Sequence, residues 1–267
     1  MCIAALAWNP DGETALVLAA NRDEFFARPT APMHWWPNPG STVLAGRDLK
    51  ANGAWLGITR GGRFALITNI RNPLLRRAGA PSRGHIVKNF LESTVSASRF
   101  VAQLAETAGQ YEGFNLLCGE VNATARELCF LNSVERVCKR LESGLYGLSN
   151  ASLDTDWPKV IRIKQGLRHA LAEPDAAARE ARLLRLLQNA TSAAEQHLPD
   201  TGVPRAWERA LSSIFIRRDD YGTRSSTLLR MSRSAAHVVE LNYADHANAA
   251  TRSEFAVPIS AISSRES

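Results

Sequence analysis

Strand-like runs come in blocks along this sequence, helix-like runs come in separate blocks, and that order limits the folds open to it. The chain starts with CIAALAW (2–8), the turn signal Asn9-Pro10-Asp11-Gly12 and TALVLAAN (14–21), which together read as a hairpin. A proline-rich loop carrying Trp35 and Trp36 follows, then TVLAGRD (42–48), WLGITR (55–60), a Gly61-Gly62 turn and RFALITNI (63–70). From Ser82, a candidate N-cap, the period becomes helical, through HIVKNFL and again over 96–108. Strands return at 114–120, 127–133 and 136–141, ending in a turn at Gly144. Helices are predicted over 157–172 and 175–190. Strands at 213–217, 225–231, 237–244 and 254–258 close the chain, and the final SSRES is expected to fray. This order favours an α+β fold of antiparallel sheets covered by helical layers over a doubly wound one. No repeat, low-complexity linker or composition break divides residues 1–267, which read as one domain.

Composition removes several classes of function. A chain of 267 residues buries a substantial core without disulfides or a structural metal. Its four cysteines (Cys2, Cys118, Cys129, Cys138) include no CxxC pair and its histidines are scattered, so a structural zinc site is not expected. Cys118 and Cys129 sit in apolar runs and read as core residues; free thiols suit a reducing compartment. Asp11 and Glu13 interrupt any leader-like apolar start, and no run approaches the length of a membrane span. The expectation is a soluble, cytoplasmic protein without membrane insertion; its oligomeric state is not legible. The net charge of +6 comes without the interleaved aromatics of a nucleic-acid platform, so nucleic acid is not expected as a partner.

Four features carry candidate chemistry. Cys2 becomes the first residue if Met1 is removed, and a free α-amine titrating near ~7.7–8.0 can act as base for its thiol. The same cysteine also reads as the buried start of a core strand. Asn21-Arg22-Asp23-Glu24 ends the second strand abruptly. Alternation puts Asn21 and Asp23 on one face, where the hairpin would bring them beside Cys2, with Asp23 bonded to the amine. Residues 49–91 carry eight lysines and arginines and no carboxylate, a stretch that suits an anionic ligand or a solvated basic surface. Trp35 and Trp36 offer an apolar wall to such a ligand, or simple packing. His85, at a helix start, is a candidate haem ligand or a structural histidine. No cofactor is required by any of these features.

NRDEFFARP (21–29) beside an N-terminal Met-Cys resembles the hallmark of the NRDE family, the transport and Golgi organisation protein 2 family. LAGRDLKANGAWLGITRGGRFALITN (44–69), SRGHIV (82–87), GLSNASLDTDWPK (147–159), LPDTGV (198–203) and SSIFIRRDDYGTRSSTLL (212–229) extend the resemblance over nearly the whole chain. That family is similar in turn to the N-terminal-nucleophile hydrolases of the choloylglycine hydrolase and penicillin V acylase group. The resemblance implies a four-layer αββα sandwich of two antiparallel sheets flanked by helices. It implies Cys2 as nucleophile, Asp23 beside the amine, Asn69 and Asn150 as oxyanion donors and Arg224 as an anchoring cation. Their Arg-Asn-X-Asp segment aligns with residues 20–23, where Ala20 stands in place of the arginine. Two functions follow as expectations: hydrolysis of a carbon–nitrogen bond in a small, partly apolar amide, or non-catalytic binding and trafficking of haem or an acyl-coenzyme A or acyl-lipid ligand. Asn21, Arg22, Trp35, Trp36 and His85 are the candidate ligand-binding residues.

Overall fold

The computed structural model describes residues 2–9, 11–37, 41–243 and 250–260. Six strands come first: β1 (Cys2–Trp8), β2 (Leu16–Phe25), β3 (Thr30–Trp35), β4 (Val43–Asp48), β5 (Leu56–Thr59) and β6 (Arg63–Asn69). Helices α1 (Gly84–Glu92) and α2 (Ala97–Thr107) lead to β7 (Phe114–Val121), β8 (Arg126–Asn132), β9 (Val137–Arg140) and β10 (Gly144–Leu148). Then come α3 (Pro158–Leu171), α4 (Ala176–Leu187), the short α5 (Arg205–Ala210), β11 (Tyr221–Met231), β12 (Ala235–Tyr243) and β13 (Ala250–Pro258).

Two antiparallel sheets form, one ordered β10-β1-β2-β11-β12-β13 and the other β3-β4-β5-β6-β7-β8-β9. Their facing sides share a core that includes Leu6, Leu18 and Leu229 from the first sheet and Leu56, Leu66 and Phe130 from the second. The outer face of the first sheet packs Ile3, Val17 and Val239 against Ile163 and Leu167 of α3 and Leu183 and Leu187 of α4. The outer face of the second packs Ile67, Leu116 and Cys118 against Ile86, Val87 and Phe90 of α1 and Val101 of α2. The layers are therefore αββα. Strands such as β1 are buried on both faces, which is why CIAALAW is continuously apolar instead of alternating. In α3 the buried positions Val160, Ile163, Leu167 and Ala170 recur at the spacing of one helical face.

Several sequence expectations need correction. The proline-rich loop contains strand β3. It survives Pro32 because it is an edge strand with an irregular register between Ala31 and His34, so no ladder donor is lost there. Gly144, expected as a turn, instead begins the edge strand β10 alongside β1. The strand expected at 213–217 is absent. Its alternating Ile214 and Ile216 enter two separate apolar clusters, and backbone bonds run from Phe215 N–H to Asn189 and from Thr223 N–H to Ile216. The helix expected to start at Ser82 is capped by Arg83, although Ser82 Oγ accepts from Gly84 N–H at 3.3 Å. The turn at 9–12 closes with Gly12 N–H donating to Asn9 C=O, while Pro10, Met1, Ala244 and the terminal SSRES lie outside the described residues.

Two glycines are demanded by geometry. Gly62 has φ +83° where β5 turns into β6. Gly53 lies so close to the start of α1 that a Cβ there would sit 2.5 Å from the Gly84 carbonyl carbon. Gly53→Ala must push back the N-terminus of α1. The expected cost is about 1–3 kcal/mol, read as a lower urea midpoint with an unchanged slope.

Candidate functional site

The site is assembled at one end of the sheet pair, where β1 and β2 begin and end. Register sets Cys2 directly opposite Arg22, so their side chains share the face that looks into the space between the sheets. On its other side β1 pairs β10 with Ala4 opposite Leu148. Continuing that register sets Asn150 across from Cys2, and Ser149 Oγ donates to the Cys2 carbonyl at 3.0 Å.

A cavity of about 310 Å³ opens there, with Cys2, Arg22, Asp23, Trp55, Asn69 and Arg83 among its lining residues. Arg22 is buried with its guanidinium 4.2 Å above the Trp55 ring, and it donates to Thr30 Oγ1 at 3.0 Å. Its charge faces Asp48 at 3.9 Å and Glu24 at 4.0 Å. Arg28 bonds Asp48 at 2.6 Å, and Arg83 pairs with Glu112 at 3.3 Å. The lining thus holds three arginines against four carboxylates. Arg22 is also close in the chain to Ala20. It stands two residues further along the same strand, hence on the same face, and directly across from the cysteine.

Burial and the negative charge of Asp23 push the Cys2 thiol above its ordinary range, while the positive charges of the amino terminus and Arg22 pull it back. The Asp23 backbone N–H hydrogen-bonds this sulfur and also lowers it. Burial raises the Asp23 carboxyl to about 6, against the opposing charges of the amino terminus and Lys159 and a hydrogen bond from Thr223 Oγ1 at 2.7 Å. Lys159, fully buried at the start of α3, is lowered to about 7 by burial and by Arg71, against Asp23, Cys2 and Glu208.

The predicted site residues separate under this geometry. Cys2, Arg22, Asp23 and Asn69 meet at the cavity. Asn150 is buried beside it: its Nδ2 donates to the Asn69 carbonyl at 2.9 Å and its Oδ1 accepts from Ser149 Oγ, so it braces Asn69. Asn21 does not face the thiol, because the register pairs Cys2 with Arg22 and turns Asn21 to the helical side. There its Nδ2 donates to the carbonyls of Leu187 and Ile214, and its Oδ1 accepts from Ser226. Arg224 clamps the chain after β2, donating to the carbonyls of Phe25, Phe26 and Arg28. His85 turns its Nε2 to the Ala51 carbonyl at 2.6 Å. Trp35 and Trp36 stack with Arg60 and Arg47 away from the cavity, whose aromatic wall is Trp55. The basic stretch does not form one surface. Arg63 is tied to Glu120 and the Phe90 carbonyl, Arg71 to Glu208, and Arg83 reaches the cavity.

Trp55, Lys159, Glu112 and Thr223 were not found from the sequence. Trp55 and Lys159 lie inside the recognisable GAWLG and DWPK segments, but nothing local marks either as a site residue. No helix among the described residues is long and apolar enough to cross a membrane, and none of their His, Cys, Asp and Glu side chains cluster in threes to hold a metal.

The profile of the family described as Transport and Golgi organisation 2 matches residues 1–245. The Bos taurus Transport and Golgi organization protein 2 homolog is 35% identical over 245 residues, covering 86% of this chain and 88% of the relative. The Homo sapiens homolog is 32% identical over 248 residues, with the same coverage of each. Among solved structures, a Caenorhabditis elegans N-acylethanolamine-hydrolyzing acid amidase ortholog matches with a TM-score of 0.51 at 12% identity, covering 85% of this chain and 92% of that one. At that identity the match speaks to fold, and the fold is that of the N-terminal-nucleophile hydrolases. On its sequence, the chain belongs to the Transport and Golgi organisation 2 family.

Proposed function

We propose that this protein is an N-terminal cysteine hydrolase acting on a carbon–nitrogen bond of a small, polar-headed amide. The observation that carries this reading is that Cys2, second in the chain, lines one cavity with Arg22, Asp23 and Asn69. Once Met1 is removed, the α-amine of Cys2 takes the thiol proton and the sulfur bonds to the amide carbon. The carbonyl electron pair moves onto oxygen, where the Asn69 side-chain amide, braced by Asn150, is the donor at hand. The C–N bond then breaks as the leaving amine takes the proton. Water cleaves the resulting thioester and restores the thiol. Arg22 offsets part of the burial that keeps the thiol protonated, while the charge of Asp23 adds to it.

The charge balance of the cavity favours a neutral polar amide over a polyanion. Each lining arginine already faces a carboxylate, so haem propionates or the phosphates of a coenzyme find no surplus cation there. A free thiol nucleophile suits a reducing cytoplasm.

Intact mass spectrometry with an electrophilic amide or lactone probe tests the proposal. The expected result is a chain lacking Met1 that carries one probe adduct at Cys2. Stoichiometric retention of Met1 removes the base and with it this mechanism.

A further inference from the structure

The Cys2 cavity has a neighbour. A second recess of about 190 Å³, with Ile70, Leu75 and Val203 among its lining residues, shares Asn69, Arg83 and Glu112 with the lining of the Cys2 cavity. Asn69 is the donor assigned to the substrate carbonyl, so the two spaces border each other at the reacting end. Arg83 and Glu112, on the same border, are joined by an ion pair of 3.3 Å between Nη2 and Oε2. Helix formation does not account for Arg83. It is the N-cap of α1, where it makes no capping bond and its charge faces the positive end of the helix dipole. Its guanidinium turns instead to Glu112 and, at 3.3 Å, to the Gly113 carbonyl. Glu112 Oε1 accepts from Arg77 N–H at 3.3 Å, and Arg77 Nη1 donates to the Gly109 carbonyl. Segment 77–83 is thus tied to 109–113 at both its ends, and its later half, from Ala80 to Arg83, walls the Cys2 cavity. Between the ties it stands clear of the fold: Gly79 has φ +76°, and a Cβ there would meet nothing within 4 Å. The Arg83 and Glu112 side chains are 23% and 32% exposed, so water competes for the pair and it opens at little cost.

We propose that the Arg83–Glu112 pair is the specificity gate of the Cys2 site. Closed, it confines a substrate to the Cys2 cavity; open, it admits the aliphatic end of a longer amide to the recess beside Ile70, Leu75 and Val203. At about 30 Å³ for each water-sized group, the recess takes a chain of about six atoms. The purpose of the gate rests on the hydrolase reading, but its effect on access to the thiol is measurable without turnover.

The test compares two reagents that alkylate the thiolate by displacing iodide, iodoacetamide and its N-hexyl derivative. Their rates are read on the Cys2 peptide by mass, so that exposed Cys138 does not interfere. Glu112→Gln keeps the shape of the side chain and removes its charge. It is expected to raise the ratio of the hexyl rate to the iodoacetamide rate by about three- to fivefold, the range open to a partly exposed pair. Arg83→Met is expected to shift the ratio the same way and serves if the first variant does not fold, which circular dichroism checks. Adding Val203→Trp to Glu112→Gln narrows the recess and is expected to return the ratio to the wild-type value, which a general loosening of 77–83 would not do. An unchanged ratio in Glu112→Gln and Arg83→Met, a raised ratio that Val203→Trp leaves raised, or a Cys2 that neither reagent labels in any variant overturns the proposal. A raised and reversible ratio in a protein that hydrolyses no amide sustains the gate and removes the hydrolase reading; hydrolysis with an unmoved ratio does the reverse.

Discussion

Cys2→Ala is expected to fold as the wild type does and to lose amide hydrolysis by at least about 10³-fold, because the bond-forming atom is gone while the rest of the cavity stays in place. The fold should tolerate it. Cys2 sits at the end of β1 on the rim of the cavity, and deleting one buried sulfur costs about 1 kcal/mol. Cys2→Ser should retain a small residual rate, since a hydroxyl gives up its proton far less readily to the same amine. Turnover assays paired with urea unfolding separate the two effects. Full turnover in Cys2→Ala would show that the chemistry lies elsewhere.

Glu208→Ala is expected to be the most destabilising single change near the site. Arg71 and Glu208 are both almost fully buried, with Arg71 Nη2 and Glu208 Oε2 3.1 Å apart and the Arg71 guanidinium stacked 4.4 Å from Trp157. The contact is short for an ion pair yet lacks hydrogen-bond alignment, so charge is what holds it. Removing the carboxylate leaves Arg71 and Lys159 as two buried cations close to each other. Breaking a buried pair in this way costs about 3–5 kcal/mol, which for a domain of this size lowers Tm by about 10 °C. Differential scanning calorimetry reads it directly. An unchanged Tm would mean that water reaches the pair. The double variant Glu208→Gln, Arg71→Met should recover much of the loss, because it removes the orphaned charge along with its partner.

Particular residues show why some of this was legible in advance. The block order and the apolar faces of α1 and α3 follow from local periodicity, and periodicity is written into neighbouring residues. β3 escaped notice because Pro32 argues against a strand, and whether a strand lies at an edge is decided by the rest of the sheet. β10 escaped because Gly144 and Gly147 resemble a turn until β1 pairs with them. Asn21 illustrates a finer failure. Alternation placed it correctly with Asp23, yet the hairpin register decided which residue faces the cysteine, and a slip of one residue exchanges the faces.

By itself, the sequence determined the αββα layers, the family, and the polar set Cys2, Arg22, Asp23, Asn69 and Asn150 from which the site is built. Only the tertiary structure decided their roles. It set Arg22 against the thiol, gave Asn150 to Asn69, sent Arg224 to a loop, and brought Trp55 and Arg83 to a cysteine far away in the chain. The division has one physical cause. Element type follows from residues within a few positions of each other. Burial, charge coupling and a shared cavity arise between residues that meet only when the two sheets close, and no local pattern records that meeting.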